Sequence, residues 1–254
     1  MKKFKAVLLS CLICSGAFSS SFAHVNDVSY GVQTINKKNV QVVVVNANSR
    51  DLKFDVVVAN DSPTCTGWEN FNNIIKRTKP IAAINGNYFN AYTKNPNEIR
   101  PWGYVIKDGK QLNGGATYNK GGFAVMKDGK IIIDNENNID IENVQTMVHA
   151  GPLLVKDSKI AYDPKNSGFT EEKINTQVSL RSAIGLKPDG KVIMVTGVFK
   201  MTELADVMLK LGVKEATNLD GGASSALYAK NKYLTPAGRN LNTVLVVYDK
   251  PVKK

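Results

Sequence analysis

Three times this chain interrupts an apolar run with an Asp-Gly pair set between lysines: Lys107-Asp108-Gly109-Lys110, Lys127-Asp128-Gly129-Lys130 and Lys187-Pro188-Asp189-Gly190-Lys191. Lys156-Asp157-Ser158-Lys159 is a weaker fourth. Glycine supplies the positive φ that a tight reversal needs, and Asp hydrogen-bonds its own backbone there, so each motif reads as a hairpin joining two short strands. The apolar runs predict strands over 41–45, 54–58, 81–84, 104–106, 123–126, 131–133, 153–155, 183–186, 192–195, 214–219 and 244–247. Trp68, Phe71, Ile74 and Ile75 recur at helical spacing and predict a helix over 67–77. Leu204, Val207, Met208 and Leu211 predict a second over 202–211. The turns are irregularly spaced, which argues against a solenoid. The polar stretches 135–143 and 162–177 read as surface loops. The expected architecture is a single α+β domain over 24–254, mainly antiparallel sheet with a few packed helices and an active-site cleft at the strand tips.

Residues 1–23 are set apart from that domain. Lys2, Lys3 and Lys5 precede an apolar run ending near Phe18, and Ser21 and Ala23 place small residues before a cleavage point, the pattern of a secretory signal peptide. Export to a periplasmic or extracellular space follows. The exported chain keeps Cys65 but not Cys11 or Cys14, so its stability comes from its core and not from an internal disulfide. Its formal charge falls from +11 to +8 with the three signal lysines. A basic surface concentrates anionic partners such as phosphorylated glycans, although lysine-rich composition accounts for the same number. The lysines are scattered and join no nucleic-acid-binding motif, so no nucleic acid is expected. No second apolar run approaches membrane-spanning length. Oligomeric state is not legible.

The candidate site centres on Asn218-Leu219-Asp220-Gly221-Gly222-Ala223-Ser224-Ser225, where a carboxylate and two glycines end a short apolar strand. Consecutive glycines permit close approach of backbone to a ligand, and the amides of Ala223, Ser224 and Ser225 are candidate anion donors. The same segment also reads as an ordinary tight turn. Asn85-Gly86-Asn87-Tyr88-Phe89 repeats the pattern after 81–84, with an amide and aromatic rings suited to a sugar. His149, in His149-Ala150-Gly151-Pro152, is a candidate acid or hydrogen-bond partner. Arg181, opening Arg181-Ser182-Ala183-Ile184-Gly185, is suited to gripping a phosphate or carboxylate. No cofactor is required by these residues. The Asn, Asp and Ser oxygens leave a structural calcium open, while one cysteine and two distant histidines give no zinc signature.

In their order along the chain these segments resemble the phosphodiester glycosidase family, over roughly residues 80–248. The resemblance is carried by Asn85-Gly86 with Tyr88-Phe89, Gly103 before Lys107-Asp108-Gly109, Gly151-Pro152-Leu153-Leu154, Arg181 to Gly185 and Asn218 to Ser225. Asn87 and Ala223 stand where family members often carry further glycines, which bears on the sugar that fits. The resemblance implies hydrolysis of a sugar-1-phosphodiester at the anomeric carbon, releasing a sugar, with N-acetylglucosamine one candidate, and a phosphomonoester. It implies Asp220, Arg181 and His149 as catalytic groups. Asn85, Gly86, Tyr88, Gly151, Gly221, Gly222, Ser224 and Ser225 would then bind substrate. A second carboxylate cannot be singled out; Glu98, Glu142 and Asp163 are loop candidates. The other reading is a non-catalytic binding or assembly protein for acidic cell-envelope glycans or exopolysaccharide.

Overall fold

The Asp-Gly and Asp-Ser turns at 108–109 and 157–158 carry positive φ at both central residues, which brings the flanking strands into antiparallel register. A computed structural model describes residues 27–115 and 121–250; residues 1–23, read from the sequence as a signal peptide, lie outside them. The first strands are β1 (Val28–Ile35), β2 (Lys38–Asn46), β3 (Leu52–Val58), β4 (Ala82–Asn85), β5 (Val105–Lys107) and β6 (Lys110–Asn113). Next come β7 (Gly121–Met126), β8 (Ile131–Asn135), β9 (Val144–His149), β10 (Leu153–Lys156), β11 (Lys159–Ile160) and β12 (Ser179–Leu186). The last are β13 (Lys191–Phe199), β14 (Glu215–Asn218), β15 (Leu227–Ala229), β16 (Lys232–Thr235) and β17 (Thr243–Asp249). Among the described residues three α-helices accompany them: α1 (Phe71–Thr78), α2 (Glu172–Asn175) and α3 (Met201–Lys210).

The strands form three sheets, ordered β1-β2-β13-β12-β14-β10-β11, β16-β15-β4-β17-β3 and β6-β5-β9-β7-β8. Every pairing within them is antiparallel, so the expected α+β class holds. Alternation along the strands divides the interior. Val192 and Met194 of β13 face a central core with Phe54, Ile84, Phe123 and Leu245, which draws on all three sheets. Ile193 and Val195 face the opposite side, where Leu204, Val207 and Met208 of α3 cover the seven-stranded sheet. Helix α1 places Phe71, Ile74 and Ile75 on the outer face of β4 and β17.

Two elements placed from the sequence differ in the structure. The first helix starts at Phe71, not at 67, because Asn70 caps it by accepting from the Asn72 N–H at 2.9 Å, while Glu69 is still bridged to Leu241 as extended chain. Trp68 therefore lies outside the helix and is 36% exposed instead of joining its packed face. The segment 162–177 is also more than a surface loop: it holds α2, and Phe169 and Ile174 are buried beneath it. Cys65 is buried, and burial pushes its thiol up to about 11.

Candidate functional site

Strands β4 and β14 belong to different sheets, and their carboxyl ends meet at Asp220. The Asp220 N–H donates to the Gly86 carbonyl at 3.1 Å, and the Asp220 carbonyl accepts from Asn85 Nδ2 at 2.7 Å. Asn85 Oδ1 in turn accepts from Ser182 Oγ at 2.7 Å and the Ala226 N–H at 3.0 Å. Asn85 thus ties the Asp220 backbone to β12 and to the residue before β15, and it does not line the adjoining pocket. Gly86 lies beneath the site too, since a Cβ there would come within 2.6 Å of Thr243 Oγ1.

The Asp220 carboxylate borders a pocket of about 340 Å³, within the size range of small-ligand sites. Its Oδ1 accepts from the Gly221 N–H at 2.8 Å, and the buried Ser224 hydroxyl is bonded to the same carboxylate. Burial dominates its electrostatics and pushes the carboxyl up to about 6, against the opposing pull of those two hydrogen bonds and of the Arg239 and Lys173 charges. Gly221 and Gly222 line the pocket; a Cβ on Gly221 would meet the Leu180 carbonyl at 3.1 Å, and Gly222 has φ +63.

Of the three amides expected to cradle an anion, Ala223 lines the pocket and the other two are closed. The Ser224 and Ser225 N–H groups close the turn onto the Gly221 and Gly222 carbonyls at 3.2 and 3.1 Å. Ser225 is fully buried and outside the pocket lining, its hydroxyl without a hydrogen-bond partner among the described residues. Tyr88 does line the pocket, its ring 6.4 Å from Trp102 and 6.0 Å from Phe169. Its hydroxyl donates to the Gly151 carbonyl at 3.0 Å and accepts from Asn218 Nδ2 at 2.7 Å, and burial pushes the phenol well above its usual range. Gly151 therefore acts through its carbonyl as an anchor for Tyr88 and Asn218, which reaches it at 2.9 Å.

Arg181 borders the pocket but is bound to main chain. Its Nη2 donates to the carbonyls of Lys173, Ile174 and Gln177 at 2.8, 3.1 and 2.8 Å, and its Nε to Phe199 at 3.3 Å. Through Nη2 and Nε the guanidinium bolts the α2 segment to β12. His149 is buried in the third sheet and is absent from the pocket lining. Its Nδ1 accepts from the Tyr104 N–H at 3.2 Å, so Nε2 carries the proton and donates to Glu136 at 2.7 Å. The ring also explains Gly103, where a Cβ would collide with His149 Nδ1.

The structure supplies site residues that the sequence did not single out. Lys173, Arg239, Tyr92, Trp102 and Glu171 all line the pocket. Tyr92, 79% exposed, has Lys173 Nζ 6.0 Å and the Arg239 guanidinium 5.6 Å from its ring centre, so two loops and α2 meet at the mouth. Glu98, Glu142 and Asp163 lie elsewhere: Glu98 binds Thr93 and Asn95, the Glu142 carbonyl accepts from Lys127, and Asp163 binds Lys165 and Asn166. Among the described residues no group of three or more His, Cys, Asp or Glu side chains gathers as a metal site, and no helix is long and apolar enough to cross a membrane.

Residues 78–248 match the family model described as phosphodiester glycosidase. Bovine N-acetylglucosamine-1-phosphodiester alpha-N-acetylglucosaminidase is 24% identical over 144 residues, covering 48% of this chain and 27% of that protein. The chain thus matches about a quarter of that relative's length. The catalytic domain of the zebrafish enzyme of the same name, auto-inhibited by its pro-peptide, superposes with a TM-score of 0.70 at 20% identity, covering 88% of this chain and 82% of that one. A protein from Synechocystis superposes with a TM-score of 0.72 at 17% identity, covering 88% and 62%. These two likenesses show the fold, and the family match spans well over half of the sequence: the chain belongs to the phosphodiester glycosidase family.

Proposed function

We propose that this protein is an exported hydrolase that cleaves a sugar-1-phosphodiester at the anomeric carbon, with N-acetylglucosamine the first sugar to test. The observation that carries the reading is one pocket holding a carboxylate raised to about 6 and, at its mouth, two cations with no ion-pair partner among the described residues, Lys173 and Arg239. A phosphodiester is an anion that such cations hold, and the bond to be broken then faces the carboxylate. As the bond from the anomeric carbon to phosphate oxygen breaks, its electron pair leaves with the phosphate. Ionised Asp220 stabilises the positive charge developing on the sugar, and Tyr88 and Trp102 offer their rings to its apolar face. The leaving phosphomonoester has a second pKa of about 6, so it departs without the full proton donation that an alcohol needs.

The test is release of free sugar from UDP-N-acetylglucosamine or an N-acetylglucosamine-1-phosphodiester by the purified protein. Because the ionised carboxyl is the working form, kcat/KM should rise with pH through about 6, where Asp220 loses its proton. A rate that instead falls over that interval would rule out an ionised Asp220. Binding without release would move the protein to the glycan-binding reading.

Arg239→Ala should raise KM roughly tenfold and weaken the salt dependence of kcat/KM, since it removes a charge at the mouth. It should also move the acid limb to higher pH, because Arg239 holds the Asp220 carboxyl down. Steady-state kinetics across pH would expose either failure: an unchanged KM or an unmoved limb.

A further inference from the structure

The residues lining the pocket include two carboxylates, Asp220 and Glu171, which arrive from different parts of the fold. Glu171 immediately precedes α2, and its carbonyl accepts from the Ile174 and Asn175 N–H groups at 3.0 and 3.1 Å. Two to six residues further on, Arg181 holds the carbonyls of Lys173, Ile174 and Gln177. An exposed side chain is thereby carried on a pinned backbone. The Tyr88 phenol feels the negative charge of both Glu171 and Asp220, which sets the two acids around one aromatic wall of the pocket.

The two differ in what surrounds them. Asp220 is enclosed and held by the Gly221 N–H and the Ser224 hydroxyl, which suits a group that meets the sugar. Glu171 is exposed, forms no ion pair among the described residues and is reached directly by water. Glycoside hydrolysis ordinarily uses one carboxyl to protonate the leaving oxygen and another on the opposite side of the reaction. Here the first demand is small, because phosphate leaves as a stabilised anion beside Lys173 and Arg239. The remaining demand is for a base.

We propose that Glu171 is the base that takes the proton from the water attacking the anomeric carbon. The water O–H bond breaks toward the Glu171 carboxylate as a new bond forms between water oxygen and the anomeric carbon. The electron pair of the old bond departs with the phosphate. This role rests on the glycosidase reading and adds to it a group that touches the nucleophile.

Glu171→Gln tests it with UDP-N-acetylglucosamine as substrate and sodium azide as a nucleophile that needs no deprotonation. Sugar release should fall about 10²–10⁴-fold, the usual contribution of a positioned base. Azide should restore consumption of substrate, with a glycosyl azide as product, and Glu171→Asp should keep part of the azide-independent rate. Circular dichroism and substrate affinity should match the wild type, because the side chain is exposed. A Glu171→Gln variant that hydrolyses at the wild-type rate, or one that is folded and binding yet indifferent to azide, overturns the role. A wild type that releases no sugar overturns both this role and the glycosidase reading.

Discussion

Replacing Asp220 with Asn should abolish sugar release and at the same time make the protein harder to melt above about pH 6. The loss of turnover should be at least about 10³-fold, since the variant lacks the charge that meets the transition state while its Oδ1 still accepts from the Gly221 N–H. Substrate affinity should change little. The gain in stability follows from the raised carboxyl. A group whose folded pKa stands at about 6 against an unfolded value near 3.8 favours the fold below the lower value and loses that advantage as pH rises through the upper one. At about pH 8 the wild type therefore carries an enclosed charge that Asn lacks, worth about 1–3 kcal/mol once the carboxylate's partial contact with pocket water is allowed for. At about pH 4 the difference should shrink toward zero. Thermal melts of both proteins at the two pH values decide it. An Asn variant that is less stable at the higher pH would contradict the burial of the Asp220 charge.

Arg181→Ala should damage both the fold and the rate. Four carbonyl oxygens, from Lys173, Ile174, Gln177 and Phe199, lose their donor at once. The expected cost is about 2–4 kcal/mol, or roughly 5–15 °C in Tm for a chain of this size. Because the released segment carries Glu171 and Lys173 into the pocket, kcat/KM should fall by about 10²-fold as well. Arg181→Lys should recover only part of either loss, since one ammonium cannot reproduce a fork reaching four oxygens. A phosphate grip would behave otherwise: KM would rise while Tm stayed in place. Calorimetry beside steady-state kinetics separates the two.

The hairpins at 107–110, 127–130, 156–159 and 187–191 were legible because Asp-Gly and Asp-Ser turns announce themselves, and both long helices showed their apolar period. The hairpins joining β1 to β2 and β15 to β16 were not. Their turns place Asn36-Lys37 and Lys230-Asn231 at positive φ, where no glycine marks the reversal. At the site, Asp220 stood out because two glycines and a strand end surround it. The mouth residues did not, because Tyr92, Glu171 and Arg239 come from polar loops and Lys173 from the one-turn α2, none with a periodicity to mark it, and only tertiary packing gathers them. The expectations for His149 and Arg181 identified chemically capable side chains without revealing their neighbours. A carboxylate against the imidazole and four carbonyls around the guanidinium are contacts across the fold.

Asn85 reaches Asp220 across 135 residues and joins strands of two different sheets. Contacts so far apart in sequence are the slow part of folding, because the loop between them must close before they stabilise anything. A nascent or half-refolded chain leaves the Asp220 side chain in water, with the acidity of any other aspartate. Chemical competence thus arrives with the docking of the two sheets, and the return of activity after denaturation would time that last event.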